Sequence, residues 1–463
     1  MSTSINISPT TMTAGTHLLA YYAVDRVGNI YNLKQVQVIK QIDFATLPVT
    51  SYYGINNNDR ILTTKKYPNN YPNSNPPSIP FPNQLPVATR FQEIKDMGLN
   101  VIRINMYWEG YRWYKSQGQT STFLNRVKEI ADTADSLGLG ILYNVMHQWK
   151  VSSVLYSSSS KANRGAGFPE EALKPLGLVR LPDSYVYDQP IDGSTNVEKQ
   201  PKNIFWKNFV NNYNITVDGI TKPIWQHIWD DYYKDVVIAT KDHPSTIGYE
   251  LLNEPLEAVD SITTSIYRGL GNYNSFIAQN IRKLTTTNKK IFFAELISWR
   301  HNDAEINSVY PDLAGKNTYY KKAELTVRLM LPRDSSSATI ISNIAFSNTE
   351  YGKNGGYGTH FNSQADEYDR VFSTLRQNNN VDIPILITEW NEQDPAQGGV
   401  EPNTSSYINY LSTLKTRGYG WFFFNYDPNY PWSIKDSNYN DRWNSTRTMT
   451  FKQMLIDALF NSK

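Results

Sequence analysis

From residue 47 onward, short apolar runs alternate with segments whose apolar residues recur every three or four positions. That is the pattern of repeated strand–helix units, in which buried parallel strands are joined by amphipathic helices. The spacing predicts a first strand at residues 50–55 and a helix at 87–98, with Val87, Phe91 and Ile94 on one face. A second strand is predicted at 101–106, then a helix at 124–137 with Leu124, Val127, Ala131 and Ala134 in register. Further strands fall at 140–146, 246–252, 290–297, 339–346, 383–388 and 420–424. Helices are predicted at 223–242, from there to about 284 after the fourth strand, at 365–377, at 405–416 and at 451–460. Eight strands, each followed by a helix or a long excursion, close most simply as an α/β fold of the (β/α)8 TIM-barrel type.

Two stretches depart from this rhythm. Residues 150–221 form a long irregular insertion with SSSS, GAG and several prolines, and loops of that length in a compact domain usually serve function. Residues 1–40 carry two alternating segments, 17–24 and 36–39, around the turn-like Arg26-Val27-Gly28-Asn29. The segment GTHLLAYYAVDRVGN resembles the last strands of immunoglobulin-like modules of prokaryotic surface proteins. It is too short to make a sandwich, and it also reads as a plain β-hairpin packed on the barrel. The chain is therefore divided into an N-terminal β segment, 1–40, and a barrel domain, 41–463.

Composition narrows the function. Of 463 residues, 40% are hydrophobic and 19% charged, as in a globular chain. The formal charge of +2 and the absence of a basic tract give no footprint for nucleic acid. No apolar run is long enough to span a membrane, and the start MSTSINISPTTMTAG does not read as a signal peptide. The absence of cysteine excludes disulfides, thiolate metal sites and cysteine nucleophiles. With six histidines and no His-X-X-X-His, neither a metal nor a cofactor is expected. The four Asn-X-Ser/Thr sequons, at Asn6, Asn214, Asn403 and Asn444, are read as chance in an Asn-rich chain. The 32 Tyr, 18 Phe and 11 Trp suit either a large core or the stacking of sugar rings.

In such barrels, chemistry sits where the strands end. The fourth predicted strand ends GYELLNEP, placing Asn253 and Glu254 at the rim, and the seventh ends PILITEWNE, placing Glu389 there. The second carries Arg103 and the third ends at His147. Glycoside hydrolysis needs one protonated carboxyl to assist the leaving oxygen and one ionised carboxylate to attack the anomeric carbon. Arg103 is expected to hold Glu389 ionised, and the charge of Glu389 to favour the protonated acid at Glu254. Asn253 is placed to donate to the sugar 2-hydroxyl. Glu295, at the end of the fifth strand, is ranked behind this pair as a supporting carboxylate. Trp149 and Trp390 directly follow catalytic strand ends and are expected to bind sugar, while Trp206 and Trp432 give no basis for choice.

Strand-end Asn-Glu-Pro, strand-end Ile-Thr-Glu, Asn-Val-Ile-Arg and Val-Met-His together resemble glycoside hydrolase family 5 over roughly residues 50–460. The resemblance implies a retaining barrel glycosidase with Glu254 as acid/base, Glu389 as nucleophile, and Arg103, His147 and Asn253 at the reacting sugar. Two departures stand out. Where the family carries His-X-Tyr after the sixth strand, this chain has Thr349 and Tyr351. Where it carries a tryptophan under the reacting sugar, this chain has Phe424, with Trp421 shortly before it, and a smaller aromatic floor for the sugar is expected from these two.

The first expectation for substrate is β-1,4-glucan, by likeness of NYDPNYPWSIKD to some family cellulases. An endoglycoceramidase-like activity is the alternative, from FWKNFVNN, GYELLNEP and His147-Gln148, and β-mannan also stays open. A carbohydrate-binding module without turnover is the reading of another class. The partner is thus an oligo- or polysaccharide, with no nucleic acid and no membrane span, and the chain is expected to be an extracellular or cell-surface monomer.

Overall fold

The computed structural model describes residues 15–24, 30–40, 42–63, 83–147, 167–173, 199, 201–255, 261–285, 289–297, 300–351, 359–391, 404–427, 433–436, 438–443 and 449–461. Eight strands close into a barrel: β1 (Tyr53–Asn58), β2 (Val101–Asn105), β3 (Gly140–Asn144), β4 (Thr246–Glu250), β5 (Lys290–Ala294), β6 (Ile344–Tyr351), β7 (Ile385–Asn391) and β8 (Gly420–Phe423). They follow one another around the ring in chain order, all parallel, and β8 closes on β1. This is the expected (β/α)8 barrel. The N-terminal strands, Gly15–Val24 and Ile30–Lys40, pair antiparallel as a separate two-stranded sheet.

Apolar side chains form two layers. The barrel interior is filled at one end by residues such as Val101, Leu142, Phe292, Leu386 and Phe422, with Phe44 and Tyr52 beneath. The larger layer lies between strands and helices and takes the amphipathic faces of Val87–Asp96 and Thr120–Leu137. Tyr52 secures the lower plug, its hydroxyl donating to Phe44 O at 2.7 Å and Leu47 O at 3.1 Å. Close packing fixes Gly248 on β4, where a Cβ would lie 1.9 Å from the Lys290 carbonyl oxygen.

Two strand predictions need correction. The first strand starts three residues late, at Tyr53, because Val49–Ser51 is a 3-10 turn, and it runs on through Asn56, Asn57 and Asn58. The sixth is Ile344–Tyr351, not 339–346. The apolar Ile340 and Ile341 precede it, and its own rim half is polar, with Ser347, Asn348 and Thr349. In both cases inward polar residues serve the barrel mouth and hide the strand from an apolar-run reading. The predicted helix at 223–242 forms as Ile224–Ile228 and Lys234–Thr240, joined by a π-turn at Trp229–Tyr233. Among the described residues no helix is long and apolar enough to cross a membrane.

Candidate active site

The site is organised around one buried cation. Arg103 points from β2 into the barrel mouth and is fully shielded from solvent. Its Nε donates to Glu250 Oε2 at 2.7 Å, and its Nη1 donates to Glu389 Oε1 at 2.6 Å and Asn56 Oδ1 at 2.8 Å. Its Nη2 donates to Asn253 Oδ1 at 2.6 Å. One guanidinium thus ties β1, β2, β4 and β7 together at the catalytic end. A buried charge demands such compensation, and truncating any partner would leave an expensive unpaired group.

Glu250 is the member of this buried cluster that the sequence alone did not reveal. It lies four positions before Glu254, inside β4, and also accepts from the Ser347 hydroxyl at 2.9 Å. Burial pushes its carboxyl above the ordinary value, while Arg103 pulls it down. The two carboxylates in turn outweigh burial at Arg103 and hold the guanidinium charged. A signal was present: Arg103 and Glu250 are opposite charges inside strands buried on both faces, where each needs the other.

Glu389 is brought to the same cluster at the mouth end of β7, 4% exposed. The ladder between β7 and β8 slips between Ile387 and Trp390, and that between β6 and β7 slips between Asn348 and Thr349. These irregularities let Glu389 face inward. Past β4, Asn253 is buried and its backbone N–H donates to Met146 O at 3.1 Å. Accepting at Oδ1 from Arg103 fixes the amide of Asn253 with its N–H2 as the opposite, donor end. Glu254 follows directly, partly exposed, with φ of 41°. A left-handed glutamate is uncommon and costs about 1–3 kcal/mol. The segment is held on both sides, since Ile297 N donates to Pro255 O at 3.2 Å. His147 stands at the exit of β3, mostly buried and stacked on Tyr107.

The arrangement joins Arg103, Asn253 and Glu389 by direct hydrogen bonds and sets Glu254 and His147 on the rim beside them. It offers an anion held by a guanidinium, a second carboxyl one residue beyond the Asn253 that the same guanidinium holds, and amide and imidazole groups that can bond to hydroxyls. Thr349 lies in register with Glu389, and Tyr351 ends β6 in register with Asn391. The side chain of Tyr351 lies outside the described residues, as do Trp149 and Trp432 entirely. Phe424, at the exit of β8, belongs to neither apolar layer and keeps 7% exposure.

Two predicted sugar-binding tryptophans are corrected. Trp390 and Trp421 have no exposed surface and pack edge to face, with centroids 5.7 Å apart, in the layer under the helices. The reason is local. Glu389 faces inward, so Trp390 faces outward, against Tyr407 and Tyr410; Phe422 faces inward, so Trp421 faces outward. Trp206 is likewise buried among Phe205 and Phe209. Several tyrosines are structural too: Tyr232, Tyr233 and Tyr273 donate to the carbonyls of Val145, Glu250 and Leu251 and clasp the ends of β3 and β4.

Glu295 takes a structural part. It is buried against Lys322 in an ion pair and accepts from Gln364 Nε2 at 2.8 Å. Among the described residues one group of possible metal ligands, Asp132, Asp135 and His243, does gather, at the entry end of β4 and away from the mouth. The chain separation of its members conceals it in the sequence. Its contacts are internal: Asp135 accepts from Ser245 N at 2.7 Å and pairs with His243 Nδ1 at 2.7 Å.

The chain is similar to known proteins in sequence and in fold. The family described as cellulase (glycosyl hydrolase family 5) matches residues 64–430. An endoglycoceramidase of Cyanea nozakii is 30% identical over 186 residues, 36% of this chain, and the match spans only 33% of that relative's length. Endo-glycoceramidase II from Rhodococcus sp., as its lactosyl-enzyme intermediate, superposes with a TM-score of 0.53 at 16% identity, over 88% of this chain and 78% of that one. Its ganglioside GM3 complex gives 0.52 at 17% identity over the same shares. At such identities these two likenesses speak for the fold. With the family match covering most of the barrel, the chain belongs to glycosyl hydrolase family 5.

Proposed function

We propose that this glycosidase works by double displacement with retention of configuration, cleaving an internal β-glycosidic bond between a glycan and a lipid-like aglycone. The observation that carries the mechanism is the guanidinium of Arg103 bonded to Glu389 and to the neighbour of Glu254. In the first step a Glu389 oxygen bonds to the anomeric carbon as the glycosidic C–O bond breaks, and Glu254 gives its proton to the departing oxygen. In the second, Glu254 takes a proton from water, and that water displaces Glu389 with a second inversion. Arg103 holds Glu389 against rotation throughout, so its attack needs little reorganisation.

The aglycone assignment leans on likeness to an endoglycoceramidase in sequence. The segment FWKNFVNN, read above as similar to that branch, folds largely as the helix Pro201–Val210, whose Phe205 and Phe209 pack on Phe168 of the insertion. An extracellular or cell-surface setting would suit a membrane-displayed glycolipid. A second reading, β-1,4-glucan, is favoured by the stretch after β8 that resembles some family cellulases.

The test is product release from lactosylceramide micelles, carboxymethyl-cellulose, β-mannan and xylan, for wild type and Glu254→Ala. Lactose released from the lipid by wild type and not by the variant supports the proposal. Release from glucan or mannan alone replaces the substrate and keeps the mechanism. No release from any of them returns the chain to the binding-module reading.

A further inference from the structure

Three asparagines stand side by side at the mouth ends of the first three strands. Asn58 is in register with Asn105, and Asn105 with Asn144. All are buried. Their side chains form one run of hydrogen bonds. Asn105 Nδ2 donates to Asn58 Oδ1 at 2.9 Å, and Asn144 Nδ2 donates to Asn105 Oδ1 at 3.0 Å. The same Asn144 Nδ2 lies 2.8 Å from His147 Nδ1. The strand end that carries Asn58 is itself held, since the Asn58 backbone N–H donates to Asp427 Oδ2 at 2.6 Å.

The imidazole at the far end has little freedom. Its ring is stacked on Tyr107 with planes 8° apart and centroids at 5.5 Å, and the backbone N–H of His147 donates to Met106 O at 3.1 Å. What is left to decide is which ring nitrogen carries the proton. The amide of Asn144 decides it. An amide nitrogen offers two N–H donors and no acceptor. In this orientation both donors are used, one on Asn105 and one on His147, and only Oδ1 is buried without a partner. Turning the amide over would put the N–H2 where that oxygen lies and leave two donors unmade. An unpaired carbonyl oxygen is the better tolerated fault. Nδ1 of His147 is therefore an acceptor.

We infer that this asparagine ladder locks His147 in the Nε2–H tautomer, with Asn144 as the positioning residue. The imidazole is thereby a hydrogen-bond donor at Nε2, the form that can donate to a sugar hydroxyl group. That use rests on the glycosidase reading; the tautomer does not. Nothing in the three separate strands suggests the ladder until the register aligns them.

The experiment is nitrogen-15 NMR of the histidine rings in the full chain at about pH 7.5, above the ordinary imidazole range. There are six histidines, and His147→Gln identifies the signal. A bare Nδ1 and a protonated Nε2 for His147 support the inference. A ring protonated at Nδ1, alone or together with Nε2, overturns it, whether or not the protein proves to be a glycosidase. Asn144→Asp replaces the donor by an acceptor and is expected to move the proton to Nδ1. On an aryl β-glycoside it should also lower kcat/KM about tenfold, the worth of one hydrogen bond. An unchanged His147 spectrum in folded Asn144→Asp would remove Asn144 from the role. Should that variant not fold, the wild-type spectrum decides alone.

Discussion

At the scale of single residues, the site is governed by the cost of burying charge. Arg103, Glu250 and Glu389 are each at most 4% exposed, so none is affordable without the others. Glu254 carries a different burden, a left-handed backbone with φ of 41°. Strain of that kind persists only where neighbours over-determine it, and it belongs to the site rather than to stability. Glycine adopts this conformation freely and alanine does not. Glu254→Gly is therefore expected to unfold at a higher temperature than Glu254→Ala, by about 1 kcal/mol of stability, with both inactive on unactivated substrates. Calorimetric melting of the two variants checks this, and a glycine variant less stable than the alanine one would show that the backbone is not strained there. Most of the candidate site was legible at this scale. Asn253, Glu254, Glu389 and Arg103 could be found because each sits at or near a strand end with a neighbour of matching chemistry. Glu250 was overlooked because its partner is a residue 147 positions away and only the barrel brings them together.

Elements decide which faces those residues show. With Glu389 turned inward, its neighbour Trp390 turns outward, so standing next to an inward residue is evidence against lining the same cleft. The polar mouth ends of β1 and β6 broke the apolar runs and displaced the predicted strands. Polar contacts also tie elements at the opposite end. His243, just before β4, bonds to Asp135 near the end of the helix Thr120–Leu137, with side chains 19% and 13% exposed. The hydrogen bond to Asp135 raises the His243 pKa above its ordinary 6.5, against the effect of burial. A raised folded value means the stabilisation is complete below 6.5 and is lost as pH rises through the folded value. The advantage of wild type over His243→Gln should thus be larger at about pH 6 than at about pH 9, by about 1 kcal/mol, the difference between a charged and a neutral hydrogen bond. Thermal unfolding at the two pH values measures it. An advantage that stays constant would mean that the imidazolium contributes nothing there.

For the whole molecule, the fold was readable because a parallel barrel repeats one unit eight times, so errors in single strands do not alter the closure. The N-terminal hairpin takes no part in that closure. A chain beginning at residue 42 is expected to keep the melting temperature and turnover of the full chain. A large loss of either would give the hairpin a structural role in the barrel. Substrate was the least legible property, because it depends on rim loops that lack the periodicity of strands and helices. The proposed reaction needs only two carboxylates, those of Glu254 after β4 and Glu389 on β7. The measurement that tests it most directly is trapping with a 2-deoxy-2-fluoro β-lactoside carrying a dinitrophenolate leaving group, followed by mass spectrometry of peptides. One covalent glycosyl label on Glu389, absent from Glu389→Gln, is the expected result. A label on another carboxylate such as Glu250, or undiminished hydrolysis by Glu389→Gln, would contradict it.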